Sequence, residues 1–134
     1  AAVEEGIVPG GGAALVRSST KLNSLKVTGD EATGVKIVQR SVEAPIRLIA
    51  SNSGAEGSVI LDAIQKGKGD FGYDAEVGEY GSMLERGIMD PTKVTRAAIE
   101  NATSVAAMIL TTESLVTEIP KKEPAMPAGP PMDY

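Results

Sequence analysis

The spacing of apolar residues predicts a mainly helical chain. Apolar positions recur every three or four residues, the repeat of one helix face, in the stretches 13–25, 35–49, 58–65 and 94–110. The second stretch is predicted to be one long helix that follows Asp30, its expected N-cap, and ends at 52–54. Pro45 lies inside it and predicts a kink, because proline lacks the N–H of a helical residue and clashes with the preceding turn.

Capping residues predict where two other helices end or begin. Residues 1–5 are typical of a helix C-terminus stopped by Gly6. Asp90 and Pro91 are typical of the N-cap and the first helical position, so a helix is predicted from there to about Thr111. Its apolar face is wide and rich in alanine, which predicts burial among other helices.

Two segments have a pattern typical of strands. In 71–81, aromatic residues flank an acidic, glycine-containing centre, which predicts a small hairpin with Tyr73 packed against Tyr80. In 115–119, apolar and polar residues alternate, which predicts a short C-terminal strand. Such a strand is an exposed edge in a monomer. The remaining segment, 121–134, is rich in proline and poor in core-forming residues, so it is predicted to be a disordered tail.

Composition excludes several classes of site. The chain has 134 residues, enough for one domain with a modest core, and contains neither cysteine nor histidine. Zinc sites of cysteine and histidine, disulfides and histidine-dependent catalysis are therefore excluded. A net charge of −5 without a basic cluster argues against nucleic-acid binding. Because no apolar run approaches about 18 residues, no membrane span is predicted.

The candidate chemistry begins at Gly10-Gly11-Gly12. Glycines can adopt positive φ and let the backbone approach another group closely. The amides at the start of the following helix lack intrahelical partners and favour an anionic or polar ligand. Two interpretations remain open for these residues alone: a turn between helices, which is the commoner meaning of such a run, or a nucleotide contact. Glu4 and Glu5 are interpreted as solvated charges without a role in a site.

Several stretches in this order carry a resemblance to a known family. They are residues 1–12, 43–47, 71–75, 87–96, 102–106 and 111–113. This ordered set resembles the C-terminal part of the equatorial domain of the group I chaperonins, the GroEL family. The resemblance implies that residues 1–120 belong to that ATP-binding, ring-contact domain, as a helical fragment with a small hairpin and a short C-terminal strand.

The resemblance also implies site residues. The backbone at Gly11 would lie against ATP, Asp90 would bond the ribose hydroxyls, and the segment Asp74-Ala75-Glu76 would lie along the adenine. The family commonly has Asn-Ala-Ala at that segment, so a carboxylate at position 74 puts its side-chain contact in question. No catalytic residue and no ligand of the Mg²⁺ that accompanies ATP is expected in this chain, because the family's hydrolytic aspartate, phosphate loop and magnesium ligand belong to parts of the protein before Ala1. The isolated segment is therefore expected to lack ATPase activity.

The implied partners are other copies of the subunit in a homo-oligomeric double ring. A co-chaperonin and unfolded proteins would bind through parts outside this chain. The expected location is the bacterial cytoplasm, with an organelle matrix as the alternative. The alternative function is a free-standing helical interaction domain in which the glycines only make a turn.

Overall fold

A computed structural model describes residues 1–119. Within these residues the chain folds into six α-helices and two two-stranded antiparallel sheets. The helices are α1 (Ala2–Glu5), α2 (Ala13–Lys21), α3 (Gly29–Val42), α4 (Ala44–Asn52), α5 (Gly57–Lys66) and α6 (Thr92–Leu110). The strands are β1 (Ile7–Pro9), β2 (Phe71–Asp74), β3 (Glu79–Ser82) and β4 (Met89–Pro91). The predicted tail, 121–134, lies outside the described residues.

The core lies where α2, α4 and α5 pack against β2. Its buried side chains are Ala13, Val16, Ile46, Ala50, Ile60, Leu61, Ile64 and Tyr73. Val16, Ile46 and Ile64 are completely buried, and burial of an aliphatic side chain of this size contributes about 1.5–3 kcal/mol. Small and branched aliphatic residues fill this space closely, in agreement with the near absence of aromatic residues.

The predicted long helix is two helices. The chain leaves α3 after Val42 and starts α4 at Ala44, with Glu43 between them and Pro45 in the first turn of α4. Proline is tolerated there because the first amides of a helix have no intrahelical acceptor. Asp30 is also not the N-cap of α3: Thr28 holds that position, and Asp30 lies in the first turn.

The hairpin is confirmed. Strands β2 and β3 pair so that Tyr73 lies opposite Tyr80, and their ring centroids are 5.2 Å apart. A second ring contact joins Phe71 to Tyr80 in a stacked arrangement, with centroids 5.9 Å apart. The prediction that these tyrosines pack within the hairpin is therefore correct.

The second sheet was not predicted. Strand β1 pairs with β4, and Val8 lies opposite Asp90. Asp90 is consequently a strand residue, and the prediction that it caps α6 is wrong: Pro91 is the N-cap, and no side chain caps that end. This pairing between segments far apart in the sequence fixes the backbone at Asp90 in an extended conformation, which local sequence rules do not detect.

Helix α6 and the segment after it differ from the prediction. No residue of α6 is buried, and Val105, Met108 and Leu110 are more than half exposed. Residues 114–119 form no strand within the described chain and belong to neither of its sheets. None of the described helices combines the length and apolar character that a membrane span requires.

Candidate functional site

The glycine loop is held from two sides. Gly10 donates its N–H to the carbonyl oxygen of Ile88 at 2.9 Å, and a Cβ on Gly10 would lie 3.0 Å from that oxygen. A Cβ on Gly12 would lie 3.1 Å from the backbone nitrogen of Ile46 in the core. A side chain at either position would collide with these neighbours, so both positions need glycine. An ordinary tight turn does not impose this steric requirement.

Gly11 needs glycine for a different reason. Its φ is +63°, and Gly12 follows at +82°, a region that other residues adopt rarely. A Cβ on Gly11 would lie 3.6 Å from the carbonyl oxygen of Tyr73, an ordinary contact. Within residues 1–119, the N–H groups of Gly11 and Gly12 donate no hydrogen bond. The loop thus leaves two backbone donors for a ligand or solvent.

The fold brings the three predicted contact segments together. Gly11 lies against Tyr73, the residue before Asp74, while Gly10 bonds Ile88, two residues before Asp90. Asp90 itself pairs with Val8 at the entry to the loop. Its side chain is exposed, and no group among residues 1–119 forms an ion pair or hydrogen bond with its carboxylate. A ligand hydroxyl could therefore donate a hydrogen bond to the Asp90 carboxylate without displacing any described group.

Asp74 is occupied. Its Oδ2 accepts a hydrogen bond from Arg86 at 3.1 Å, and its Oδ1 accepts from the N–H of Glu76 at 3.0 Å. Partial burial by itself would raise the pKa of the Asp74 carboxyl, but the Arg86 hydrogen bond and the backbone amides outweigh it. The pKa therefore lies below its usual value, and the side chain is an anion engaged within the hairpin.

Ala75 and Glu76 have different environments within the same turn. Ala75 is half-buried and packs against the core, whereas the Glu76 side chain is exposed. The turn is closed by a hydrogen bond from the Gly78 N–H to the carbonyl oxygen of Asp74 at 2.9 Å. These contacts fix the backbone of the segment without using the Glu76 carboxylate.

Comparison with known proteins identifies the chain. Residues 1–120 match the TCP-1/cpn60 chaperonin family. The chain belongs to this family. It is similar to the open-state monomer of a group II chaperonin from Methanococcoides burtonii, with a TM-score of 0.76 and 26% identity over 82% of this chain and 29% of that one. It is also similar to a group III chaperonin in the open state, with a TM-score of 0.77 and 32% identity over 86% of this chain and 25% of that one.

The predicted fold class is confirmed as a mainly helical fragment of a chaperonin equatorial domain with small strands. The chain spans less than a third of the length of either chaperonin structure. Those structures belong to groups II and III, so family membership is shown while the assignment to group I stays a prediction.

Two arginines of this chaperonin segment were missed by sequence reasoning. Arg17 donates to the carbonyl oxygens of Gly67 at 3.0 Å and Phe71 at 2.6 Å, which ties α2 to the start of the hairpin. Arg86 bonds both Asp74 and Glu79. For Arg86, carboxylates placed opposite each other favour a nearby cation, but that signal exists only once the register of the two strands is known. Arg17 had a weaker signal as the one charged residue in the first turns of an apolar helix.

Glu4 and Glu5 are exposed, as expected of solvated charges, but each also forms an ion pair that was not predicted. Glu5 forms an ion pair with Arg96, with Oε1 and Nη2 2.6 Å apart, and Glu4 pairs with Lys93. The hydrogen bond from Arg96 lowers the pKa of the Glu5 carboxyl and outweighs the opposing effect of burial. Both pairs join α1 to α6.

No group of three or more potential metal ligands occurs among residues 1–119. The hydrogen-bonding groups near the glycine loop are the Gly11 and Gly12 N–H groups, which donate no bond within residues 1–119, and the exposed Asp90 carboxylate, which is an acceptor. Such donors and acceptors are able to bind a polar ligand.

Proposed function

We propose that this chain is part of an ATP-dependent group I chaperonin that assists protein folding. In this proposal the segment contributes nucleotide-contacting residues and contacts between subunits of a ring. One observation supports it most: residues 10–12, 74–76 and 90 are far apart in sequence and lie around one loop. A turn alone would not require this convergence.

Each predicted site residue has a role in the proposal. The Gly11 backbone lies against the nucleotide, where a side chain would obstruct it. Asp90 accepts hydrogen bonds from the ribose hydroxyls through its free carboxylate. The turn at 74–76 lies along the adenine and contacts it through Ala75 and the backbone, because the Asp74 side chain is engaged by Arg86.

Hydrolysis belongs to the intact protein in this proposal. ATP would bind with Mg²⁺, which positions and neutralises the phosphates during phosphoryl transfer. The residues described here bind and orient the nucleoside only. We therefore expect the isolated chain to release no phosphate from ATP at a rate above its buffer control.

The surface supports assembly with more protein. Side chains such as Ile37, Val105, Met108 and Leu110 are at least half exposed, more apolar surface than a stable monomer usually presents. We propose that this surface is covered by the rest of the subunit and by neighbouring subunits of a homo-oligomeric double ring. A co-chaperonin and unfolded proteins would bind elsewhere, and the proposed location is the bacterial cytoplasm.

The segment 115–119 has a testable place in the assembly. Its alternating pattern would complete a sheet if a neighbouring subunit supplied the partner strand. Its amides should then exchange rapidly in the dilute isolated chain and slowly in the assembled ring. Equally rapid exchange in both would contradict this part of the proposal.

The nucleotide role is tested by Gly11→Val in the full-length protein. A β-branched residue at φ +63° resists the loop conformation and fills the space beside it, so ADP affinity should fall at least about tenfold. Gly29→Val is the matched control, because Gly29 has φ +61° and no atom near its Cβ position. Unchanged ADP affinity in Gly11→Val, with circular dichroism unchanged, would mean that the glycines only make a turn.

The assignment to group I needs a separate test. Refolding of a denatured protein by the full-length ring should depend on ATP and on an added group I co-chaperonin. Refolding that proceeds equally well without the co-chaperonin would contradict group I and leave the nucleotide role intact.

A further inference from the structure

Arg86 bridges two carboxylates that flank the hairpin turn, one on each strand. Asp74 and Glu79 are register partners on β2 and β3, so their negative charges lie opposite each other. Arg86 places Nη1 3.1 Å from Asp74 Oδ2 and Nη2 2.9 Å from Glu79 Oε2. Like charges placed opposite each other destabilise a strand pair, and a guanidinium between them reverses that effect.

The hairpin has space for this guanidinium because position 81 is glycine. A Cβ on Gly81 would lie 2.8 Å from the Nε of Arg86. The arginine therefore lies directly over bare backbone, with its side chain 28% exposed. The Arg86 side chain is therefore more restricted than one in a solvent-exposed surface pair, in which both side chains move freely.

Asp74 carries the effect of Arg86 into the turn. One of its oxygens faces Arg86, while the other accepts the Glu76 N–H and so shapes residues 74–76. Asp74 is only 13% exposed, so loss of Arg86 would leave a carboxylate with little compensation from water. The carboxylate would then turn toward solvent or repel an approaching anion.

We infer that Arg86 is a positioning residue for adenine-nucleotide binding, acting through Asp74. It holds the 74–76 turn in its observed shape and neutralises a carboxylate that would otherwise repel the polyphosphate of ADP or ATP. The inference rests on the proposed function, because it concerns the same nucleotide site. It also explains how a carboxylate is accommodated at a position where the family commonly has an amide.

A double-mutant cycle in the full-length protein tests the inference. Arg86→Met should weaken ADP binding by about tenfold, the expected effect of losing one hydrogen bond to a charged group. Asp74→Asn alone should weaken ADP binding less than Arg86→Met does, since an amide oxygen can still accept the Glu76 N–H. The double variant should bind like Asp74→Asn, because the charge that needs Arg86 is gone.

Two further variants separate positioning from general damage. Glu79→Gln is the matched control: it removes the other carboxylate bonded to Arg86 and leaves the Asp74 pair, so ADP affinity should be nearly unchanged. Arg86→Lys keeps the charge and should recover part of the affinity. Added salt should weaken ADP binding by wild type more than by Asp74→Asn, because only wild type depends on the ion pair.

The outcomes distinguish this inference from the proposed function. An equal loss of affinity when Arg86→Met is introduced into wild type and into the Asp74→Asn variant would overturn the inference, as would a loss that Arg86→Lys does not reduce. If Gly11→Val and Asp90→Ala weaken ADP binding while Arg86→Met does not, only the role of Arg86 is wrong. If none of the three weakens binding, the nucleotide site itself is wrong.

Discussion

Gly10 and Ile88 are in direct backbone contact. The Gly10 N–H donates to the Ile88 carbonyl oxygen at 2.9 Å, and a Cβ on Gly10 would lie 3.0 Å from the same oxygen. Gly10 has no positive φ, so its need for glycine is one of space. This contact holds the glycine loop beside the segment that leads to Asp90.

Gly10→Ala should destabilise the chain by about 1–3 kcal/mol, because the added methyl group must push two backbone segments apart. Urea denaturation followed by circular dichroism measures the change. Gly34→Ala is the control, since Gly34 lies within α3 with no atom near its Cβ position. That variant should be more stable by up to about 1 kcal/mol through helix propensity. Similar stability of the two variants would contradict the contact.

Ile46→Ala should cost about 2–5 kcal/mol, the range for truncation of a fully buried aliphatic side chain. Ile46 also touches the Cβ position of Gly12, so the loss should extend to the glycine loop as faster amide exchange there. Ile37→Ala removes the same atoms from a side chain that is 62% exposed, and it should change stability by less than about 0.5 kcal/mol. Equal losses from the two variants would place Ile46 outside the core.

Much of the helical architecture was predictable, because the apolar stripes of α2, α5 and α6 are set by local spacing. The break at Glu43 was predicted only as a kink, since sequence shows that Pro45 disrupts the helix but not whether a new one starts. Asp90 was misassigned because Asp-Pro is a common helix start, and the pairing of β4 with β1 overrode it. Alternation in 115–119 indicates the ability to form a strand, but a partner decides whether one forms.

The arrangement of the candidate site could be anticipated only in part. The fold brings Gly11, the 74–76 turn and Asp90 near one loop, and their contact with a nucleotide stays a prediction. Arg86 was not anticipated, because its partners depend on the register of the hairpin, which sets Asp74 opposite Glu79. Register is a property of the folded pair and cannot be read from either strand alone.

The hairpin should weaken in acid. Hydrogen bonds from Ser82 and from the Leu84 N–H lower the pKa of Asp70, and the pKa of Asp74 is also below its usual value. A carboxyl whose pKa is lower in the folded state stabilises that state above the unfolded pKa of about 3.8, and loses this effect as pH falls through the folded value. The protection factors of the hydrogen-bonded hairpin amides, which compare exchange with the intrinsic rate at each pH, should therefore fall below about pH 4.

Asp74→Asn provides the control for this acid transition. The variant has no carboxyl at position 74, so its hairpin should lose less protection over the same pH range. Asp70 still titrates in that variant, which predicts a smaller transition rather than none. A transition of equal size in both proteins would exclude Asp74 as a contributor.

Arg96→Met should release α1 from α6. Arg96 bonds both oxygens of Glu5, with distances of 3.1 and 2.6 Å, and α1 is too short to persist without tertiary contacts. The amides of Glu4, Glu5 and Gly6 should exchange faster, and high salt should produce the same effect in wild type. Arg40→Met removes an ion pair to Glu43, three residues further along the chain and far from α1 in the sequence, and should leave these amides unchanged. Protected α1 amides in Arg96→Met would show that the strand pairing and the Glu4–Lys93 ion pair are enough to hold the helix.

The pairing of β1 with β4 has a consequence for the order of folding. Its register pairs join residues as much as 84 positions apart, as between Ile7 and Pro91, whereas α4 and α5 are neighbours in the chain. Closing so long a loop is entropically costly until the intervening helices have packed. The β1–β4 sheet should therefore form late in folding. The glycine loop reaches its final shape only when this sheet has formed. A ligand that binds this loop would then slow the unfolding of the β1–β4 sheet more than the unfolding of the helices.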